Sequence, residues 1–370
     1  MKRRRFILVT QNFPPDPGGI ETLMGGLAGA LAAAGHAVEV FADRNRSGLP
    51  EAIPPGVVLH RFGGPRPWRR LRKRLALWRA LRGGAPHAVI CDSWKSVEAL
   101  PECAAPLLVL AHGMEFPPAP SPRKAARMAR ALGRATAVAA NSRDTAGLVA
   151  PHAGAVPVAV VNPPIAPQPA PDAAADAAAA ALVAGHGPVV LSLARLEPRK
   201  GIDMVIRALP ALAAAHPGVL HLVAGSGPDA PRLRGLAESL GVAQRVRFLG
   251  RVEEGMKAAL FRHADLFAMP ARREGASVEG FGIVYLEAAW HGVPALAGRA
   301  GGAADAVAEG ETGALCEAAD PAAVEAALLA LLADDAGRRA MGARAAARVR
   351  ADFLWPAVLP RYLALLDGAS

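Results

Sequence analysis

Short apolar runs and helix-spaced apolar positions alternate along most of the chain. Phe6–Thr10 runs into the turn formers Asn12 to Gly19. Ile20, Leu23, Met24, Leu27 and Leu31 then recur at steps of three and four, which predicts a helix from Ile20 to Ala34 stopped by Gly35. Further apolar runs at Ala37–Ala42, Val57–His60, Ala88–Cys91, Leu107–Ala111, Ala135–Ala140 and Val158–Val161 are separated by polar or helical segments. Prolines 163, 164, 167, 169 and 171 then mark a semi-rigid linker. The pattern restarts with strands at Val189–Ala194, Leu220–Ala224, Val246–Leu249, Leu266–Met269 and Pro294–Ala297, with helices at Ile202–Ala215, Ala230–Leu240 and Met256–Arg262 between them. Strands alternating with helices predict a parallel sheet covered on both faces. Two such series joined by a linker predict an α/β protein of two facing parallel-sheet domains with a cleft between, and a last apolar helix from Asp352 to Leu366. Ligands of such sheets sit at the carboxyl ends of strands, so the loops there carry the candidate chemistry.

The chain has 370 residues, enough for two domains, and no apolar run of the length that spans a bilayer. Its basic start, Met1 to Arg5, enters a strand at once without the apolar core of a signal peptide, so no export is expected. Three scattered cysteines (Cys91, Cys103, Cys316) suit a reducing cytoplasm and offer neither a disulfide framework nor a zinc site. The net charge of +10 is uneven. Residues 1–165 hold 22 Lys and Arg against 10 Asp and Glu, whereas 166–370 hold 20 against 22. An anionic partner is therefore expected for the first half.

The most informative stretch is Glu274 to Pro294. Glu279 and Glu287 flank the turn Gly280-Phe281-Gly282, and an apolar helix from Ile283 to Trp290 follows. Glycines and a helix start present open N–H groups and partial positive charge, which suit an anion, while carboxylates accept hydrogen bonds from hydroxyls. Hydroxyls, an anion and more hydroxyls describe a nucleotide sugar. Arg195 and Lys200 follow the first strand of the second half, where two fixed cations would neutralise a leaving diphosphate electrostatically. For an isolated pair of this kind a solvated loop is the commoner outcome. Gly225-Ser226-Gly227-Pro228 follows another strand and reads equally as a plain turn. Neither it nor Gly18-Gly19 fits the dinucleotide fingerprint. His112 follows the strand Leu107–Ala111, where it either touches a substrate or anchors a loop. No H-E-x-x-H, D-x-D or G-x-S-x-G occurs, so no catalytic metal and no hydrolase nucleophile is expected.

Residues 66–82 are the main single source of the basic charge. Trp68, Leu71, Leu75 and Trp78 form one helical stripe, with Arg69, Arg70, Lys73 and Arg74 covering much of the remainder. Such a helix either lies in the headgroup region of an anionic membrane or packs its stripe into a core. Nucleic acid is not expected, because no basic stripe elsewhere is interleaved with aromatics.

Several segments together are similar to the retaining glycosyltransferases of family 4. They are P-P-D-P-G-G-I-E, A-H-G-M-E, N-S-R-D-T, L-A-R-L-E-P-R-K-G-I-D, G-S-G-P, V-R-F-L-G-R-V, V-E-G-F-G-I-V-Y-L-E-A, H-G-V-P and G-G-A-A-D-A-V. The likeness spans nearly the whole chain, and the V-E-G-F-G-I-V-Y-L-E-A form resembles the branch that builds phosphatidylinositol mannosides. It implies the GT-B fold, with Rossmann-like domains at 1–165 on the acceptor side and 188–351 for the nucleotide sugar, a linker at 166–187, and the helix 352–370 packing back on the first domain. Position by position, it implies that Glu279 binds the sugar hydroxyls, Gly280 to Ile283 offer backbone amides, Glu287 holds the ribose diol, and Arg195 and Lys200 hold the phosphates. Gly18 and Gly19 would approach the diphosphate, Arg251 and Val252 would border the base, and His112 would meet the transferred sugar. Asn162-Pro163 and Asp305 depart from the family pattern, where Gly-Asp and Glu are common.

The resulting expectation is a retaining, metal-independent transferase without a cofactor. It would move mannose or glucose from GDP or UDP to a lipid or cell-envelope glycan acceptor, in the cytoplasm and peripherally on the inner membrane face through 66–82. Two alternatives are a nucleotide-sugar epimerase or hydrolase on the same fold, and a basic nucleic-acid-binding protein.

Overall fold

The computed structural model describes residues 3–51 and 53–367. Met1 and Lys2 of the basic start, and residues 368–370 of the final segment, lie outside the described residues. The chain divides into two compact units, one running to Ala166 and regaining the chain from Trp355, the other spanning Pro167–Leu354.

The first unit is built on seven parallel strands: β1 (Arg5–Val9), β2 (Ala37–Asp43), β3 (Val57–Phe62), β4 (Ala88–Cys91), β5 (Leu107–Ala111), β6 (Ala137–Ala140) and β7 (Val158–Val160), in the spatial order 3-2-1-4-5-6-7. The central strands are continuous apolar runs because both faces are covered. Phe6, Leu8, Ile90 and Leu108 face one core layer, while Ile7, Val9, Val89 and Val109 face the other. The helix Trp355–Asp367 closes the first layer with Val358, Leu359, Tyr362 and Leu366. It approaches the helix Gly19–Ala33 so closely that a Cβ on Gly26 would lie 2.6 Å from the Trp355 ring.

The second unit repeats the plan with six parallel strands: β8 (Val189–Leu193), β9 (Leu220–Ala224), β10 (Val246–Gly250), β11 (Leu266–Met269), β12 (Ala295–Gly298) and β13 (Gly313–Cys316). Their order, 10-9-8-11-12-13, again places the first strand of the series beside the fourth. In both sheets the strand order therefore reverses between the first and fourth strands, the switch point outside which ligands of doubly wound sheets bind.

One segment differs from the linker expected at 166–187. Residues Ala173–Val183 form a helix, capped by Asp172, whose carboxylate accepts from Ala175 N at 2.8 Å. Alanine's high helix propensity outweighs the absence of a strong apolar face. The helix packs through the buried Ala179, and Asp176 meets His263 Nε2 at 3.0 Å. The proline-rich part is thus confined to residues before 172.

Candidate active site

The switch point of the second sheet lies between β8 and β11, and the loops leaving those two strands carry the candidate donor residues. After β8, Pro198–Lys200 makes one 3-10 turn, and Gly201, at φ 71°, starts the helix Ile202–Ala215. A Cβ on Gly201 would stand 1.9 Å from the Pro270 carbonyl oxygen, so the two loops meet backbone to backbone. The β11 loop brings Glu279 to the β8 loop. Glu279 Oε2 accepts from Arg199 Nη1 at 3.1 Å and from Lys200 Nζ. The side chains of Lys200 and Glu279 are only 11% and 13% exposed, which makes the pairing strong by comparison with a surface bridge.

Of the residues expected at the donor, Lys200 and Glu279 are therefore brought together, but Arg195 is not with them. It is 72% exposed and pairs with Glu197 at 3.1 Å. Arg199, which sequence reasoning passed over, takes the inner position and also holds Glu197 at 3.0 Å. The tight turn explains this, because it aims residues 199 and 200 inward while 195 sits before it.

Beyond Glu279 the chain turns through Gly280 and buried Phe281, whose ring lies 6.3 Å from Phe353, to Gly282 at φ 86°. Gly282 is the N-cap of the helix Ile283–Trp290. Any side chain there would strike the Tyr285 ring at 2.4 Å. Tyr285 is buried and its hydroxyl donates to the Met269 carbonyl at 2.5 Å, which ties this helix to the end of β11. The Phe281 side chain is thus structural, and only its backbone is left for a ligand. One turn on, Glu287 accepts from Lys257 Nζ at 2.9 Å, and Lys257 also pairs with Glu254 at 2.7 Å. Burial opposes the charge on Lys257, but the two carboxylates outweigh it and raise its pKa. Lys257 is the second residue the sequence did not reveal. Exposed Arg251 and half-buried Val252 follow β10, just before the helix Glu254–Arg262 that carries it.

Gly225 and Gly227 serve packing. Cβ atoms there would lie 1.9 Å from the Ala194 carbonyl oxygen and 2.2 Å from that of Leu196, which accounts for both glycines without a ligand. Asp203, only 4% exposed, anchors the same edge through Arg272 at 2.8 Å and Arg232 at 3.6 Å.

At the switch point of the first sheet a different network forms. Asp92, at the end of β4, accepts from Thr10 Oγ1 at 2.7 Å and from Gln11 N at 2.9 Å. His112 Nε2 lies 2.9 Å from the Asp92 carbonyl oxygen. A carbonyl only accepts, so Nε2 carries the proton and Nδ1 is the acceptor nitrogen. Glu115 fixes the loop by accepting from His112 N at 2.8 Å. Gly18, at φ 154°, caps the helix Gly19–Ala33, and both glycines are exposed. In the same unit a cavity of about 590 Å³ is lined by Arg44, Arg46, Arg66, Arg69, Lys95 and Asp43 among others.

The basic helix Arg66–Arg82 is oriented opposite to the core-packed alternative. Its buried members are Lys73 and Leu77. Lys73 reaches the sheet edge, donating to the Thr10 carbonyl at 2.8 Å and to Asp43 at 2.5 Å, and desolvation lowers its pKa despite that partner. Trp68, Leu71, Leu75 and Trp78 face outward and are 43–66% exposed.

Two family models cover almost the whole chain. Residues 17–169 match Glycosyltransferase Family 4, and residues 176–348 match Glycosyl transferases group 1. A GDP-mannose-dependent alpha-(1-6)-phosphatidylinositol monomannoside mannosyltransferase from Mycobacterium tuberculosis is 31% identical over 98% of both chains. The chain belongs to glycosyltransferase family 4. Its two parallel-sheet units have the GT-B fold. A protein of the same name from Mycolicibacterium smegmatis is 42% identical over 50% of this chain and 49% of its own, so this chain spans about half the length of that relative in the match. The fold of this family 4 chain is shared with sucrose-phosphate synthase from Thermosynechococcus elongatus, at a TM-score of 0.79 and 24% identity over 100% of both. Among the described residues no group of His, Cys, Asp and Glu is placed to hold a metal ion, and no helix is long and apolar enough to cross a membrane.

Proposed function

We propose that this glycosyltransferase moves mannose from GDP-mannose onto a phosphate-bearing lipid acceptor at a membrane surface. The observation that carries the donor side is the Arg199–Lys200–Glu279 cluster at the switch point of the second sheet. Glu279 has one oxygen committed to two cations, and its other oxygen accepts from a sugar hydroxyl. Glu287, oriented by Lys257, accepts from the ribose diol. Arg199 and Lys200 stabilise the charge of the departing diphosphate, aided by the N–H groups at the start of the helix Ile283–Trp290. With that charge held beside the reacting carbon, the leaving phosphate itself takes the proton of the incoming hydroxyl on the same face, and no protein nucleophile is needed. Arg195, paired and exposed, makes a later and weaker contact with the phosphates. Arg251 and Val252 border the base. In the first unit, the family resemblance gives ligand-contacting roles to His112, through Nδ1, and to the backbone of Gly18 and Gly19. The choice of mannose over glucose rests on the mycobacterial relatives' names.

For the acceptor side, the cavity lined by Arg44, Arg46, Arg66, Arg69 and Lys95 fits an anionic group. The outward stripe of the helix Arg66–Arg82 fits insertion at an anionic bilayer, on the cytoplasmic face.

Two measurements test this reading. Folded Lys200→Ala and Glu287→Ala variants should turn over GDP-mannose far more slowly than the parent, and parent-like rates would remove the donor assignment. In vesicle sedimentation the parent should favour anionic over neutral vesicles, and equal binding would remove the electrostatic anchor.

A further inference from the structure

On one flank of the outward apolar stripe lies a second basic cavity, which shares no lining residue with the first. It has a volume of about 390 Å³ and opens between the helices Arg66–Arg82 and Pro122–Leu132. Its charged lining is Arg70, Arg74, Arg127, Arg130 and Arg134 against the single carboxylate of Glu98. That carboxylate is already divided. Arg70 Nη2 donates to it at 2.7 Å, and Arg127 Nε and Nη2 donate at 2.8 and 2.9 Å. Burial opposes the charge of Glu98, yet the two guanidiniums hold its pKa below the usual range, so it stays committed to them. Arg134 is clamped by the carbonyls of Val97, Leu100 and Pro101 at 3.1, 3.0 and 2.7 Å. The guanidinium of Arg127 also rests over the Trp94 ring at 5.3 Å. Arg74 and Arg130 meet no carboxylate among the described residues. Four positive charges in excess around one hollow repel one another, and an anion relieves that repulsion.

We propose that this cavity is a headgroup site that binds the phosphate of one anionic phospholipid, separate from the acceptor being glycosylated. Guanidiniums suit the role because their donors match phosphate oxygens in pairs. The choice of a lipid over a free phosphate comes from the neighbouring surface. Arg74 lies between the cavity and the exposed Leu71, Leu75 and Trp78, so a phosphate held there has acyl chains beside an apolar ridge. The proposal rests on the membrane reading above and adds a discrete site to it.

The test compares two charge-matched pairs on the same surface, after unfolding curves show that both variants remain folded. Arg74→Gln with Arg130→Gln empties the cavity of its two uncommitted cations. Arg72→Gln with Arg79→Gln removes the same charge from the opposite flank of the ridge. For phosphatidylcholine vesicles doped with phosphatidylglycerol, diffuse attraction predicts about a 25-fold loss for either pair, at about fivefold per arginine. A discrete site predicts about tenfold more than that for the cavity pair, because charge-assisted hydrogen bonds are lost as well. Equal losses would overturn the site and leave the membrane reading intact. Calorimetry with short-chain phosphatidylglycerol below its micelle concentration separates the two ideas further. Binding by the parent but not by the cavity pair, even if the parent ignores vesicles, supports the site and sinks the membrane reading. Binding of inorganic phosphate as tightly as the short-chain lipid would overturn the lipid assignment.

Discussion

At the carboxyl edge of the second sheet the charges come in matched sets: Glu279 with Arg199 and Lys200, Glu287 with Lys257, Asp203 with Arg272 and Arg232. At the same edge of the first sheet Asp43 is matched by Lys73 and Arg69, but Arg44, Arg66 and Lys95, which line the same cavity, pair with no carboxylate among the described residues. The strand order around the two switch points is alike, so the difference belongs to the loops and not to the fold. Matched sets hold side chains in place before a ligand arrives and can exchange an internal partner for a hydroxyl or a phosphate oxygen. An unmatched set gains most from an anion supplied by the ligand. On the proposed reading, one unit is thus prepared for a neutral sugar joined to a diphosphate, and the other for a partner that is itself negative.

The largest expected effect is on the matched side. Lys200→Ala removes a cation aimed at the leaving group and should lower turnover by about a hundred- to a thousandfold, read in a radiolabelled transfer assay. A loss below about threefold would place the matched set outside the chemistry.

The unmatched side is sharpened next, by two leucines of one helix. Leu77 is buried and Leu75 faces outward. Leu77→Ala should cost about 2–5 kcal/mol in denaturant unfolding, whereas Leu75→Ala should stay within about 0.5 kcal/mol. Leu75→Ala should nevertheless weaken vesicle binding. A reversed order of stabilities would mean that the stripe packs inward.

A smaller effect distinguishes the core of the second unit. His221 is fully buried, and Ser192 Oγ, which donates to the Ala268 carbonyl at 2.6 Å, lies 2.8 Å from its Nε2. The serine proton is already used, so Nε2 donates and Nδ1 is left bare. Desolvation lowers the His221 pKa to about 3. Between that value and the ordinary 6.5 the unfolded chain binds the extra proton, so stability rises with pH and is lost on acidification. The second unit should lose about 1.4 kcal/mol per pH unit between pH 6 and 4 through this residue. His221→Asn should remove that slope, and an unchanged slope would assign the acid sensitivity elsewhere.

How much of this was legible in the sequence follows from what fixes each feature. Twelve of the thirteen described strands were readable because parallel strands buried on two faces are unbroken apolar runs, as in Phe6–Val9 and Val189–Leu191, whereas the edge strand Gly313–Cys316, only half buried and opening on a glycine, was missed. Glu279, Glu287 and Lys200 were readable because they follow strands beside turn glycines. Arg199 in place of Arg195 was not, since the choice depends on the sense of a three-residue turn. Lys257 was hidden because its partner is thirty residues away in the chain. The period of the basic helix defined a stripe but not the direction in which it points. Lys73, opposite the stripe, belongs to the buried face only because Thr10 and Asp43 await it at the sheet edge. The role of Gly225 and Gly227 depends on carbonyls of another loop, which no local pattern displays.

The central claim is that Glu279 and Glu287 hold opposite ends of one donor. Calorimetric titration of GDP and of GDP-mannose into the parent, Glu279→Gln and Glu287→Ala tests it most directly. The account predicts that Glu287→Ala weakens both ligands, by about tenfold or more, since both carry the ribose. It predicts that Glu279→Gln keeps parent-like affinity for GDP and loses only the increment that mannose adds. Equal weakening of the two ligands by Glu279→Gln, or none by Glu287→Ala, would contradict it.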